Sequence, residues 1–141
     1  MSEVNFIGSV EVNILDTDKL LDDYTQWLRD QYRIKRIDTS EEITTPFTNM
    51  LGDNMRIYVT PISNNRIHLS DDGTSLEDLL LYGIDINSTT HKTIIDQIAR
   101  QFSIDLLDDV LSTTGHVSDF PRMIQSLILA MIQINGLSTI A

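Results

Sequence analysis

The sequence predicts an α+β fold: an antiparallel sheet of three to five strands with three long helices and one short helix packed on it. Three observations carry this. Met55, Ile57 and Val59 alternate with Arg56, Tyr58 and Thr60, and Ile67 and Leu69 alternate with Arg66, His68 and Ser70. That is the period of half-buried strands, and Ser63-Asn64-Asn65 between them makes a hairpin, since asparagine tolerates the left-handed region. Three other stretches repeat apolar residues at helical spacing. Joining the two patterns, Ile67 to Leu79 reads as strand, turn and helix start, with Asp72-Gly73 as the turn pair.

In order, residues 1–15 form a loose arm or an edge strand, with Val10, Val12 and Ile14 alternating. A helix follows over about 18–31, capped by Asp16 or Thr17, with Leu20, Leu21, Tyr24, Trp27 and Leu28 as its stripe. Strands follow over 32–37 and 42–47; Pro46 cannot donate to a ladder and belongs at an edge or a strand end. After the 55–70 hairpin comes a short helix over about 76–82. Thr74 stands three residues before Glu77, and Ser75 three before Asp78, so either pair can close a capping box. Gly83 suits the helix stop. A helix to Phe102 carries Ile94, Ile95, Ile98 and Ala99. Short strands flank Asp108-Asp109, and Gly115 breaks the chain. The last helix starts at Ser118, with Pro121 in its first turn and Phe120, Met123, Ile124, Leu127, Ile128, Met131 and Ile132 on one face. The absence of repeats and low-complexity linkers makes 1–141 a single domain.

Composition narrows the function. The chain has 141 residues, 41% of them hydrophobic, and a formal charge of −11. Such a charge argues against direct nucleic-acid binding and against anionic membranes, and it fits a protein partner with a basic surface. Solubility alone explains the charge equally well. There is no cysteine, hence no disulfide, thiol nucleophile or thiolate metal site, and a reducing cytoplasm is the simplest home. Met1–Val12 lacks the basic and unbroken apolar regions of a signal peptide. The apolar stretch at 124–134 is too short and too polar to span a bilayer.

Asp71, Asp72, Glu77, Asp78, Asp105, Asp108 and Asp109 make a candidate acidic surface for a partner. As an alternative, Asp71 and Asp72 with Asp105, Asp108 and Asp109 could hold a divalent cation in a hydrolase or nuclease. Their spacing is not the calcium-loop pattern, and turn and cap chemistry is the simpler account. No metal and no cofactor is expected. His68, His91 and His116 lack the spacing of a helical zinc pair. A Ser70–His68–Asp71 arrangement has no nucleophile-elbow glycines around it. Arg29, Arg33, Lys35 and Arg36 form a basic island that can meet a second partner, although a neutralised helix end and a decorated strand explain it more simply. The wide face of the last helix is core, with a homodimer through it as the alternative.

Ile67-x-Leu69-Ser70-Asp71-Asp72-Gly73, then Leu76 to Gly83, a helix near 90–102 and a long apolar C-terminal helix resemble a bacterial and phage domain-of-unknown-function family, the one numbered eighteen twenty-eight. The resemblance covers residues 40–135. The family has no agreed activity, so no catalytic residue carries over. It implies a prophage or mobile-element context. By analogy with small, acidic, cysteine-free phage proteins, it implies an inhibitor of a host nucleic-acid defence enzyme such as a CRISPR effector.

Overall fold

The 55–70 hairpin sits inside a sheet wider than its sequence promises. In this computed structural model, which describes residues 3–7 and 10–139, the chain forms two compact units, 1–32 and 33–141. The first holds β1 (Glu3–Ile7) and β2 (Val10–Ile14), an antiparallel two-stranded sheet, followed by α1 (Thr17–Gln31). Asp16 caps α1 by accepting the Lys19 N–H at 3.1 Å, which holds the Asp16 carboxyl below its ordinary pKa. Most of the stripe is exposed: Leu20, Leu21, Tyr24 and Trp27 are exposed, Leu28 is half-buried, and α1 has no fully buried residue. The leader-peptide reading of Met1–Val12 includes residues 1, 2, 8 and 9, which lie outside the described residues.

The second unit contains β3 (Arg33–Ile37), β4 (Ser40–Thr48), β5 (Asn54–Pro61), β6 (Arg66–Ser70), α2 (Thr74–Leu81), α3 (Thr89–Gln101), β7 (Asp105–Leu107), β8 (Val110–His116) and α4 (Phe120–Asn135). Its sheet runs β3-β4-β5-β6-β8-β7, antiparallel throughout. That is six strands, not three to five. The chain does not break at Gly115, because β8 continues through it to pair with β6. A Cβ on Gly115 would lie 2.9 Å from Met123 Sδ on α4. The glycine is therefore a close-packing residue inside a strand. Pro46 falls as expected near the end of β4, past Thr44, the last residue paired with β3, and where the β4–β5 register shifts between Thr44 and Thr48. A bulge frees that backbone position from the ladder.

One sheet face is apolar and covered. Ile43, Ile57, Ile67, Leu69 and Leu111 lie on it, all buried. They meet Leu76, Leu79, Ile95, Ile98, Met123, Leu127, Met131 and Ile134 of the helices in one core. The C-terminal stripe is thus spent largely inside the unit. Among the described residues no helix is long and apolar enough to cross a membrane.

Candidate functional site

The turn between β6 and α2 is built around Asp71. Its side chain is fully buried, because strand alternation aims residue 71, like 67 and 69, toward the core side. Its Oδ1 accepts the N–H groups of Gly73 at 2.9 Å and Leu111 at 3.0 Å, and its Oδ2 accepts that of Ser75 at 3.1 Å. The Asp71 N–H in turn donates to the Leu111 carbonyl at 3.1 Å. One carboxylate therefore satisfies the start of α2 and stitches it to β8. This corrects two expectations. Asp71 is no part of an accessible acidic surface. Nor does a capping box form: Gly73 is the cap residue and makes no side-chain cap bond, while the Thr74 hydroxyl donates to the Asp71 carbonyl at 3.0 Å. The tight turn itself is as expected, with Gly73 at φ 82° and Asp72 beside it at φ 57°.

The remaining acids separate by surroundings. Asp72, Glu77, Asp105, Asp108 and Asp109 are exposed. The Asp71–Gly73 turn packs on the β7–β8 turn, since a Cβ at Gly73 would lie 3.7 Å from the Asp109 carbonyl oxygen. Asp72, Asp108 and Asp109 therefore share one shoulder of the unit, all three in the left-handed region, where aspartate is tolerated. Asp78 is different. It is half-buried, and its Oδ2 accepts the Asn49 amide at 2.8 Å, so it belongs to an internal contact. Among the described residues no group of three or more His, Asp or Glu side chains is placed to hold a metal; Asp71, Asp72, Asp105, Asp108 and Asp109 do not converge.

Asp78 lines a polar cleft of about 420 Å³, with Asn49, Asp53, Asn54, Arg56, Tyr58, Thr74 and Asn135 among its walls. It lies beside the β4–β5 bulge. Asn49 shapes it: Oδ1 accepts the Leu51 and Asp53 N–H groups at 2.9 and 3.0 Å, holding the 49–53 loop. Asn54 donates to the Thr45 carbonyl at 2.8 Å across the bulge. Burial and the neighbouring Glu42 raise the Tyr58 hydroxyl pKa. The cleft offers amide, hydroxyl and guanidinium groups to a hydrogen-bonding ligand. In sequence its asparagines are indistinguishable from ordinary turn residues, so spacing could not have found it.

The uncovered sheet face is the third feature. Register places Lys35, Glu42, Tyr58, Ser70, Ser112 and Asp105 in one row across all six strands. The same face carries Arg33, Arg56, Arg66, His68 and His116, so four of the ten Lys and Arg residues gather there. Arg56 lies 3.7 Å from Glu42. His68 Nδ1 pairs with Thr114 Oγ1 at 2.8 Å. His68 and Ser70 share this face while Asp71 turns to the core. The basic island is divided: Arg29 lies on α1 in the first unit, Arg33 and Lys35 share the open face, and Arg36 points the other way to Glu41 at 3.3 Å.

A family model described as domain of unknown function DUF1828 matches residues 45–134, the stretch that holds the Asp71 turn, most of the cleft and the acidic shoulder. No curated protein and no solved structure matches the chain.

Proposed function

The chain belongs to the DUF1828 family, and we propose that it is a non-enzymatic binding protein of phage or prophage type that inhibits a host nucleic-acid defence enzyme. It acts in the host cytosol by laying an acidic surface over a basic nucleic-acid-binding site, as on a CRISPR effector. The observation that carries this reading is the charge separation across the second unit. Four cations sit on the open sheet face against the two carboxylates of Glu42 and Asp105, while Asp72, Glu77, Asp108 and Asp109 stand exposed around the α2 end. The second unit, with fourteen Asp and Glu against eight Lys and Arg, thus turns negative charge outward there, where it can steer and hold a basic partner. The carboxylates that serve this role are free of the fold's own hydrogen bonding, unlike Asp71.

The test is affinity capture of a CRISPR effector, with its target cleavage measured alongside. Capture should fall at least tenfold between 50 and 300 mM NaCl. It should also fall in the variant carrying Asp72→Lys, Glu77→Lys, Asp108→Lys and Asp109→Lys. Binding indifferent to both salt and reversal would refute the mechanism.

A further inference from the structure

We propose that the cleft beside the β4–β5 bulge binds an arginine side chain carried on an extended peptide segment of a partner protein. The cleft lies wholly within the second unit, between β5, the 49–53 loop and α2. One wall is a stretch of half-paired strand. β5 pairs with β6 only over Tyr58–Pro61, because β6 ends at Ser70 and the chain turns away at Asp71. Residues 54–57 therefore have β4 alone as a neighbour strand. The Asp53 carbonyl accepts the Asn49 N–H at 2.9 Å, and the Met55 carbonyl accepts the Thr45 hydroxyl at 2.9 Å, so both point toward β4. Backbone groups alternate in direction along a strand, so Asn54 and Arg56 turn theirs to the cleft. An open edge of this kind, about 13 Å long, is what an extended peptide pairs with.

The side chains around that edge call for a cation with several N–H donors. Asp78 gives its Oδ2 to Asn49 at 2.8 Å, and its Oδ1 has no partner among the described residues. Asp53 anchors the loop through its backbone, whose N–H donates to Asn49 Oδ1 at 3.0 Å, and its carboxylate has no partner among the described residues. Ser75 is the independent pointer. It is only 7% exposed and its N–H is held by Asp71, yet its hydroxyl makes no hydrogen bond. Among the described residues every fully buried side-chain oxygen and nitrogen has a partner, so the Ser75 hydroxyl is the part of that residue that opens into the cleft. The guanidinium that lines the cleft, Arg56, lies 3.7 Å from Glu42, which balances its charge. Two carboxylates are left over, and they disfavour a phosphate or carboxylate ligand. A planar guanidinium presents five N–H donors in a fixed fork and can serve Asp78, Asp53 and Ser75 together; an ammonium carries three donors on one point. The volume of about 420 Å³ falls within the range of small-ligand sites.

The probe is an acetylated, amidated pentapeptide with one central arginine among glycines, titrated into the nitrogen-15-labelled full chain. Saturable amide shifts are expected at Asn54, Arg56 and Ser75. The same peptide with citrulline, which is isosteric and uncharged, should bind about tenfold more weakly, the order set by one lost charge-assisted hydrogen bond. Free agmatine, which has the guanidinium and no peptide backbone, should also bind about tenfold more weakly. Asp53→Asn, Asp78→Asn and Ser75→Ala should each weaken the arginine peptide about three- to tenfold at an unchanged denaturant midpoint. The fourfold reversal of Asp72, Glu77, Asp108 and Asp109 leaves every cleft group in place and should retain peptide binding within about threefold at physiological salt, where exposed charges are screened. The cleft therefore does not depend on the partner being a defence enzyme, and failure to capture a CRISPR effector leaves this result standing. Absence of saturable shifts overturns the proposal. So does equal binding of the citrulline peptide or of agmatine, binding that survives the three cleft substitutions, or binding abolished by the fourfold reversal.

Discussion

Asp71 and Asp72 are neighbours with opposite fates. Asp71 is buried and accepts three backbone N–H groups; Asp72 is exposed. Removing a carboxylate that satisfies buried donors leaves each of them desolvated and unpaired. Asp71→Ala should therefore cost about 3–4 kcal/mol in denaturant unfolding, and Asp71→Asn about 1–3 kcal/mol, because the amide keeps one acceptor but turns a donor toward another N–H. Asp72→Asn should stay within about 0.5 kcal/mol, because asparagine is exposed there and equally tolerates the left-handed angle. Equal losses at both positions would contradict the assignment. Tyr58 gives a second residue-level expectation. Burial and Glu42 favour its neutral form, so its folded pKa is raised. Its contribution to stability is full below the ordinary phenol pKa and is lost as pH rises through the raised value. In a spectrophotometric titration, Tyr58→Phe should remove one late-titrating phenol, and Glu42→Gln should bring that phenol earlier.

The helix ends show what short-range chemistry can settle. α2 stops at Gly83, φ 82°, where the Gly83 N–H donates to the Leu80 carbonyl at 2.9 Å and Ile84 reaches back to Leu79 at 3.0 Å, a paired C-terminal closure. α3 closes the same way through Ser103 and Ile104. There, however, the left-handed position is held by a serine at φ 56°, which carries a Cβ penalty that glycine lacks. Ser103→Gly should raise stability by about 0.5–1 kcal/mol, read as a higher denaturant midpoint at unchanged slope. Gly83 was legible as a stop because its residue type names the conformation. Ser103 was not, since nothing in the residue announces a left-handed angle. The same limit hid the capping role of Asp71. Thr74 and Ser75 have the right spacing for a box, but the Asp71 carboxylate takes the Gly73 and Ser75 N–H groups instead, and the pairing of β6 with β8 adds the bond to Leu111.

Across the whole molecule the charge of −11 works against compaction, because like charges crowd together on folding. Screening relieves this. The melting temperature at pH 7 should therefore rise by about 2–6 °C between 10 and 300 mM NaCl, a change corresponding to roughly 1 kcal/mol for a chain of this size. A flat or falling dependence would mean that favourable ion pairs outweigh the repulsion. Surface pairs such as Lys19–Asp23 at 3.0 Å and Arg36–Glu41 at 3.3 Å are exposed and contribute little each.

By itself the sequence determined the α+β class, the helix and strand periods, the hairpin, the Asp72-Gly73 turn and the family resemblance. All of these follow from residue type and from spacing within a dozen positions. The tertiary structure alone decided the sixth strand, the burial of Asp71, the polar cleft and the exposure of the α1 stripe. A side chain's period tells which residues share a face, but whether that face is covered depends on chain segments dozens of residues away. Asp71 meets Leu111 across 40 positions of sequence, and no local pattern encodes that contact.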